Sequence, residues 1–228
     1  MATLRAATDS LLDRAARLDD DAVRAPSALP GWTRGHVLTH LARNADALVN
    51  VLTGRPMYTS AEARDGDIDA GAPRPLAEQL HDVRTTAARL AATAADIPPD
   101  GWSARCELRG GVTDVMARIP FRRLVEVELH HVDLDAGYTL DQLPHDFVAR
   151  EIDFLTARFD GNEQVPPLTL SAPGGDTWTT GAPVPSGASA VRVTGAPYAL
   201  MGWLAGRTTG TGVRVEDGAV PLPTLPPL

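Results

Sequence analysis

Apolar residues recur every three or four positions along most of the first 135 residues, and the pattern changes to short alternating runs after that. Leu4, Ala7, Leu11, Ala15 and Leu18 share one face and predict an amphipathic helix over about residues 3–20, ended by the acidic run at 19–21. SALPGW, at 27–32, is turn chemistry, and Thr33 stands where the N-cap of a second helix belongs. That helix, residues 34–52, carries Val37, Leu38, Leu41, Ala45, Leu48, Val51 and Leu52 on one arc. Residues 54–75 are polar and rich in Gly and Pro, which predicts a long loop, and loops of that length are usually functional or disordered. A third helix is expected over 76–97 through Leu76, Leu80, Val83, Ala87, Leu90 and Ala94. Residues 98–118 form a second irregular connection, and Pro120 sits where a helix-initiating proline belongs.

Past Gly137 the chain predicts a helix over 147–159 and a hairpin from 167–172 and 176–180 around a Pro-Gly-Gly turn. A strand over 189–195, a helix over 196–206 and a last strand over 212–216 follow, with PLPTLPPL as an extended tail. The expected fold class is α+β in two domains. Residues 1–143 make a four-helix bundle, and residues 144–228 make a small C-terminal α/β domain of antiparallel sheet and helices.

Composition narrows the function. The chain of 228 residues has a net charge of −8 and no basic run, which argues against nucleic acid or an anionic membrane as partner. It has no apolar stretch of about 18 residues, and its amphipathic, acidic beginning is unlike a signal peptide, so a cytoplasmic protein is expected. All 21 basic residues are arginine, which excludes a Schiff-base or P-loop lysine. Cys106 is the single cysteine, so no internal disulfide and no cysteine zinc knuckle can form.

The chemistry concentrates in PFRRLVEVELHHVDLD, residues 120–135. As a helix it places Glu126, His130 and Asp133 on one face among apolar neighbours, and Glu-x-x-x-His offers two metal ligands one turn apart. Such a pair can equally be a hydrogen-bonded pair, so a metal needs a third ligand. His40 lies inside the edge of the second helix's apolar arc, where a histidine is either a satisfied core residue or that ligand. Three ligands from two helices would leave open positions on the ion, as a catalytic site requires. Asp133 is placed to orient an imidazole. His131 falls off the metal face, and His36 falls at the site mouth or in solvent. Cys106 lies in an irregular segment with nothing to activate it, and reads as a small apolar filler.

WTRGHVLTHLARNADAL, MYTSAEARDGDIDAGA, RRLVEVELHHVDL and the late WLAGR together resemble the mycothiol-dependent maleylpyruvate isomerases, within the wider DinB-like metal-binding bundles. The resemblance spans most of the chain. It implies a DinB-like bundle with a zinc ion held by His40, Glu126 and His130, and an essential arginine in the C-terminal domain that maps to Arg207. It also implies mycothiol as thiol cofactor and a dicarboxylate substrate. The reaction would convert maleylpyruvate to fumarylpyruvate in gentisate-type aromatic degradation, by thiolate addition, rotation and elimination. A mycothiol S-transferase and a non-enzymatic ligand carrier are the alternatives, and a monomer or weak homodimer is expected.

Overall fold

In a computed structural model, residues 1–216, 218 and 220–227 are described. The chain divides into two compact units, Met1–Tyr138 and Thr139–Leu228.

In the first unit, four long helices form the bundle: α1 (Ala2–Ala15), α3 (Arg34–Leu52), α5 (Leu76–Ala95) and α6 (Ile119–Asp133). α3 packs on α5 and α6, and α1 packs on α6 and α5. The apolar arcs read from the sequence meet inside: Leu11, Leu12 and Ala15 of α1, Val37, Leu38, Leu41 and Leu48 of α3, Val83 and Leu90 of α5, and Ile119, Leu124 and Val127 of α6 are all buried.

Two short helices depart from expectation. α1 ends at Ala15, and the acidic run after it starts α2 (Asp20–Arg24), because the Asp19 carboxylate accepts from the Ala22 N–H at 2.7 Å and caps it. The segment expected as a loop contains α4 (Ala61–Gly71), capped by Ser60, whose hydroxyl accepts from the Ala63 N–H at 3.0 Å. Three aspartates and Gly66 make α4 a poor helix former, and Ile68 is its one large buried apolar side chain, so no periodicity announces it. Tertiary contacts hold it instead. Gln79 of α5 is 0% exposed. Its carboxamide donates to the Gly71 and Ala72 carbonyls, at 2.9 and 3.1 Å, and accepts from Thr39 of α3 at 2.9 Å. A buried amide satisfied on three sides ties α3, α4 and α5 together at one point. Gly35 adds a close approach: a Cβ there would lie 2.1 Å from the Ala72 carbonyl oxygen.

The connection expected to be irregular holds a small hairpin, β1 (Arg105–Glu107) against β2 (Thr113–Val115). Cys106 therefore lies on a strand, buried with Leu48, Leu52, Leu90 and Ile119. Three-residue strands are too short to display an alternation.

In the second unit, α7 (His145–Phe159) and α8 (Pro197–Leu204) pack together beside a four-stranded sheet. Its strands are β3 (Leu168–Ser171), β4 (Thr177–Thr180), β5 (Val191–Gly195) and β6 (Val213–Val215), in the order β4-β3-β5-β6. The Pro-Gly-Gly hairpin forms as read, with Gly174 and Gly175 at φ 114° and 101°. An all-antiparallel sheet was expected, but β3 pairs with β5 in parallel. The return chain between β4 and β5 passes to the far side of β3, and nothing local in sequence marks such a non-neighbouring pairing. Leu168 and Leu170 alternate inward and are buried, as are Ile152 and Leu155 of α7, Val193 of β5 and Leu200 of α8. The expected tail is without helix or strand over residues 221–227, and Leu228 lies outside the described residues. Among the described residues no helix is long and apolar enough to cross a membrane.

Candidate metal centre

The first turn of α3 sets up the site. Thr33 and His36 cap it reciprocally: the Thr33 hydroxyl accepts from the His36 N–H at 3.3 Å, and His36 Nδ1 accepts from the Thr33 N–H at 3.1 Å. His36 is thus a capping residue, with Nε2 facing Asp69 at 3.6 Å. The Trp32 ring stacks on it, with centroids 6.1 Å apart, and lies 5.5 Å from the His40 ring one turn further on.

His40 is buried, and its Nε2 lies 2.9 Å from Glu126 Oε2 on α6. The same oxygen lies 3.3 Å from His130 Nε2. The two imidazoles meet edge to face, with centroids 4.7 Å apart. One donor atom from each of His40, Glu126 and His130 falls within 4.8 Å of the others. The structure therefore brings together all three residues singled out on two separate helices. Asp133 closes the set from behind, accepting from His130 Nδ1–H at 2.8 Å. In the neutral ring that bond keeps the proton on Nδ1, so that Nε2 can offer its lone pair to an ion.

The electrostatics match a site built for positive charge. Burial alone would raise the Glu126 pKa, but hydrogen bonds from His130 and His40 outweigh it and hold the carboxyl well below its ordinary range. Burial lowers the pKa of His40, favouring the neutral ring that a metal needs. For His130 burial also pushes downward, yet the hydrogen bonds to Asp133 and Glu126 prevail and raise it. Two buried imidazoles converging on a half-buried carboxylate are a donor set that a zinc-like ion can use.

Several neighbours gave no signal in the sequence. Arg64 of α4 donates to His40 Nδ1 at 3.2 Å. Its guanidinium lies over the Tyr58 ring, 5.9 Å from the centroid. Tyr58 in turn lines a cleft of about 720 Å³ with Arg55, Arg105, Arg109 and Met116. Arg123, three residues before Glu126, is 1% exposed. It ties α6 to α3 by donating to the Leu41 carbonyl at 2.8 Å and to Asn44 Oδ1 at 2.7 Å. Burial lowers its pKa to about 10, so it stays charged at neutral pH. Nothing in the sequence marks Arg123 rather than Arg122 as the inward one; the turn of the helix decides it.

The remaining candidates lie elsewhere. His131 stacks on Tyr138, with centroids 3.8 Å apart, away from the cluster. Cys106 Sγ contacts the Asp114 carbonyl at 3.6 Å, and burial raises its pKa, so the thiol is not activated. We expect Cys106→Ala to keep turnover within about threefold of the parent, measured with added thiol cofactor; a fall beyond ~100-fold in a folded variant would make Cys106 a nucleophile. Arg207, in the second unit, follows α8 in a glycine-terminated cap. Gly206 has φ 68°, the Arg207 N–H donates to the Gly202 carbonyl at 2.8 Å, and the guanidinium donates to the Ala205 carbonyl at 2.9 Å.

Comparison with known proteins places this geometry. Residues 4–135 match the family model described as the mycothiol maleylpyruvate isomerase N-terminal domain. The crystal structure of the mycothiol-dependent maleylpyruvate isomerase superposes with a TM-score of 0.85 at 28% identity, covering 100% of this chain and 95% of that one. A histidine-to-alanine mutant of that enzyme superposes equally well, with a TM-score of 0.85 at 27% identity and the same coverage. No sequence among the curated proteins matches. Family and fold thus define an enzyme of the isomerase class. The chain belongs to the mycothiol-dependent maleylpyruvate isomerase family.

Proposed function

We propose that this chain is a zinc- and mycothiol-dependent cis–trans isomerase that converts maleylpyruvate to fumarylpyruvate, a step in gentisate-type aromatic degradation in the cytoplasm. The observation that carries the reading is the convergence of His40, Glu126 and His130 in a member of this family. These residues would hold the zinc. When bound, the ion would lower the pKa of mycothiol's sulfhydryl, so that the cofactor supplies a thiolate able to add reversibly to the substrate's double bond and free it to rotate.

The chain's own residues do the rest. Asp133 keeps the His130 proton on Nδ1 and thereby keeps Nε2 available. Trp32 walls the centre on the His40 side. The substrate is a dianion, and with no lysine in the chain the candidate side-chain clamps are arginines. We assign one carboxylate to Arg207, held bidentately and stabilising charge as it develops on the substrate.

Incubating zinc-loaded protein and mycothiol with maleylpyruvate, and following the ultraviolet spectrum together with free thiol, tests the proposal. Trans product at constant thiol is expected. Thiol consumption would identify a transferase, and no reaction a carrier. For Arg207 the test is lysine substitution. A residue that only caps α8 tolerates lysine, whereas a planar two-point clamp does not. Arg207→Lys is expected to keep zinc and fold while losing at least ~10-fold in kcat/KM, in line with one lost charge-assisted hydrogen bond. Unchanged turnover would return Arg207 to a capping role alone.

A further inference from the structure

The contact between Arg64 and His40 has a chemical implication. A neutral imidazole carries one N–H. His40 Nδ1 accepts from the Arg64 guanidinium at 3.2 Å, so the ring proton sits on Nε2 and is donated to Glu126 Oε2 at 2.9 Å. A cation on Nε2 needs the lone pair at that nitrogen. The proton must then reside on Nδ1, where it faces an Arg64 N–H, donor against donor. The alternative, a ring stripped of both protons, is not reached next to a carboxylate. Loading the centre therefore requires the guanidinium to leave His40.

What it becomes is read from its surroundings. The Arg64 side chain is 11% exposed, and its other nitrogen, Nη1, pairs with Asp65. It lies over the Tyr58 ring, which lines the 720 Å³ cleft. A displaced Nη2 edge is thus a nearly buried cation beside the centre, over an aromatic ring that itself lines the cleft. A guanidinium edge in those surroundings takes a carboxylate in two-point contact.

We propose that Arg64 is a carboxylate anchor released by metal loading: it rests on His40 in the metal-free chain, and once the cation is in place it binds one carboxylate of the substrate. The consequence is order, since carboxylate binding waits for the metal. The carboxylate arm rests on the dicarboxylate substrate proposed above; the metal arm does not.

The experiment compares the full-length parent with Arg64→Met and Arg64→Lys. Zinc affinity is measured by competition with a chromophoric chelator, and maleate, a plain dicarboxylate, is titrated calorimetrically with and without zinc. Arg64→Met removes the donor that must be displaced, so it is expected to bind zinc about 3- to 10-fold more tightly. The same variant is expected to lose at least ~10-fold in maleate affinity in the zinc-loaded state. The parent should bind maleate only when zinc is present. Arg64→Lys, which keeps a point charge, should fall between the two in maleate affinity and serves alone if the methionine variant does not fold. Weaker zinc binding in either variant would make Arg64 a support of the ligand set and overturn the proposal. So would maleate binding that is indifferent to zinc or to Arg64. Failure of the isomerase itself would be seen separately, as absent turnover of maleylpyruvate in a parent that still binds maleate under zinc control.

Discussion

Glu126→Ala is expected to abolish stoichiometric zinc binding and to cut isomerase turnover at least about 10³-fold, beyond the 10- to 100-fold typical of losing only an outer partner of a ligand. Glu126 is the hub of the cluster. A single oxygen, Oε2, stands within 3.3 Å of both imidazoles, so its removal costs a ligand and also the group that holds both rings in place. His40→Ala and His130→Ala should lose zinc as well, for a simpler reason. Each leaves two protein donors where a catalytic zinc commonly has three. Metal content by atomic emission, on protein purified with zinc and dialysed, checks all three. Full occupancy in any two of them would show that the ion sits elsewhere.

The second large effect is on stability rather than catalysis. His131 is 1% exposed, stacked on Tyr138, and its Nε2 makes no hydrogen bond among the described residues. Burial, aided by the nearby Arg14 charge, lowers its pKa from 6.5 to about 4. Above pH 6.5 the ring is neutral whether the chain is folded or not, and contributes nothing to pH dependence. As pH falls below 6.5 the unfolded chain gains a proton that the folded chain refuses, so stability drops until about pH 4. The gap corresponds to roughly 3 kcal/mol. His131→Phe keeps the ring stack and removes the titration. Between pH 7.5 and 4.5 the variant should therefore lose roughly 2–3 kcal/mol less stability than the parent in urea unfolding. Parallel losses in the two proteins would mean that His131 takes up its proton in the folded state as readily as in the unfolded one.

The parts of this molecule that were legible share a property: their signal is local and periodic. Glu126 and His130 are four residues apart on one helix, and His40 betrays itself as a polar residue inside an apolar arc. Asp133, one turn on, could be given its orienting role from spacing alone. Arg64 could not. It sits on a helix whose own sequence disfavours helix, held by Gln79 and by the glycine contacts at 35 and 71. Those are interactions between segments, and no window of sequence contains them. The capping role of His36 was also hidden, because a side chain reaching back to its own helix start resembles any exposed histidine. The two three-residue strands around Cys106 and the parallel partner of β3 were missed for lack of length and of a local mark respectively. The second unit's helices and hairpin were readable because Gly and Pro punctuate them.

The placement of Trp32 gives the protein a colour of its own to report with. Its indole sits 5.5 Å from the His40 ring, close enough for the excited state to sense whether that imidazole is neutral, charged or bound to an ion. Emission from this one residue should step when the centre fills and step again when an electrophile arrives. Removing it in Trp32→Phe should silence both steps, while Trp102, Trp178 and Trp203 supply a constant background. Loading and turnover could then be timed in a stopped-flow instrument with no label on the protein and no chromophore on the substrate.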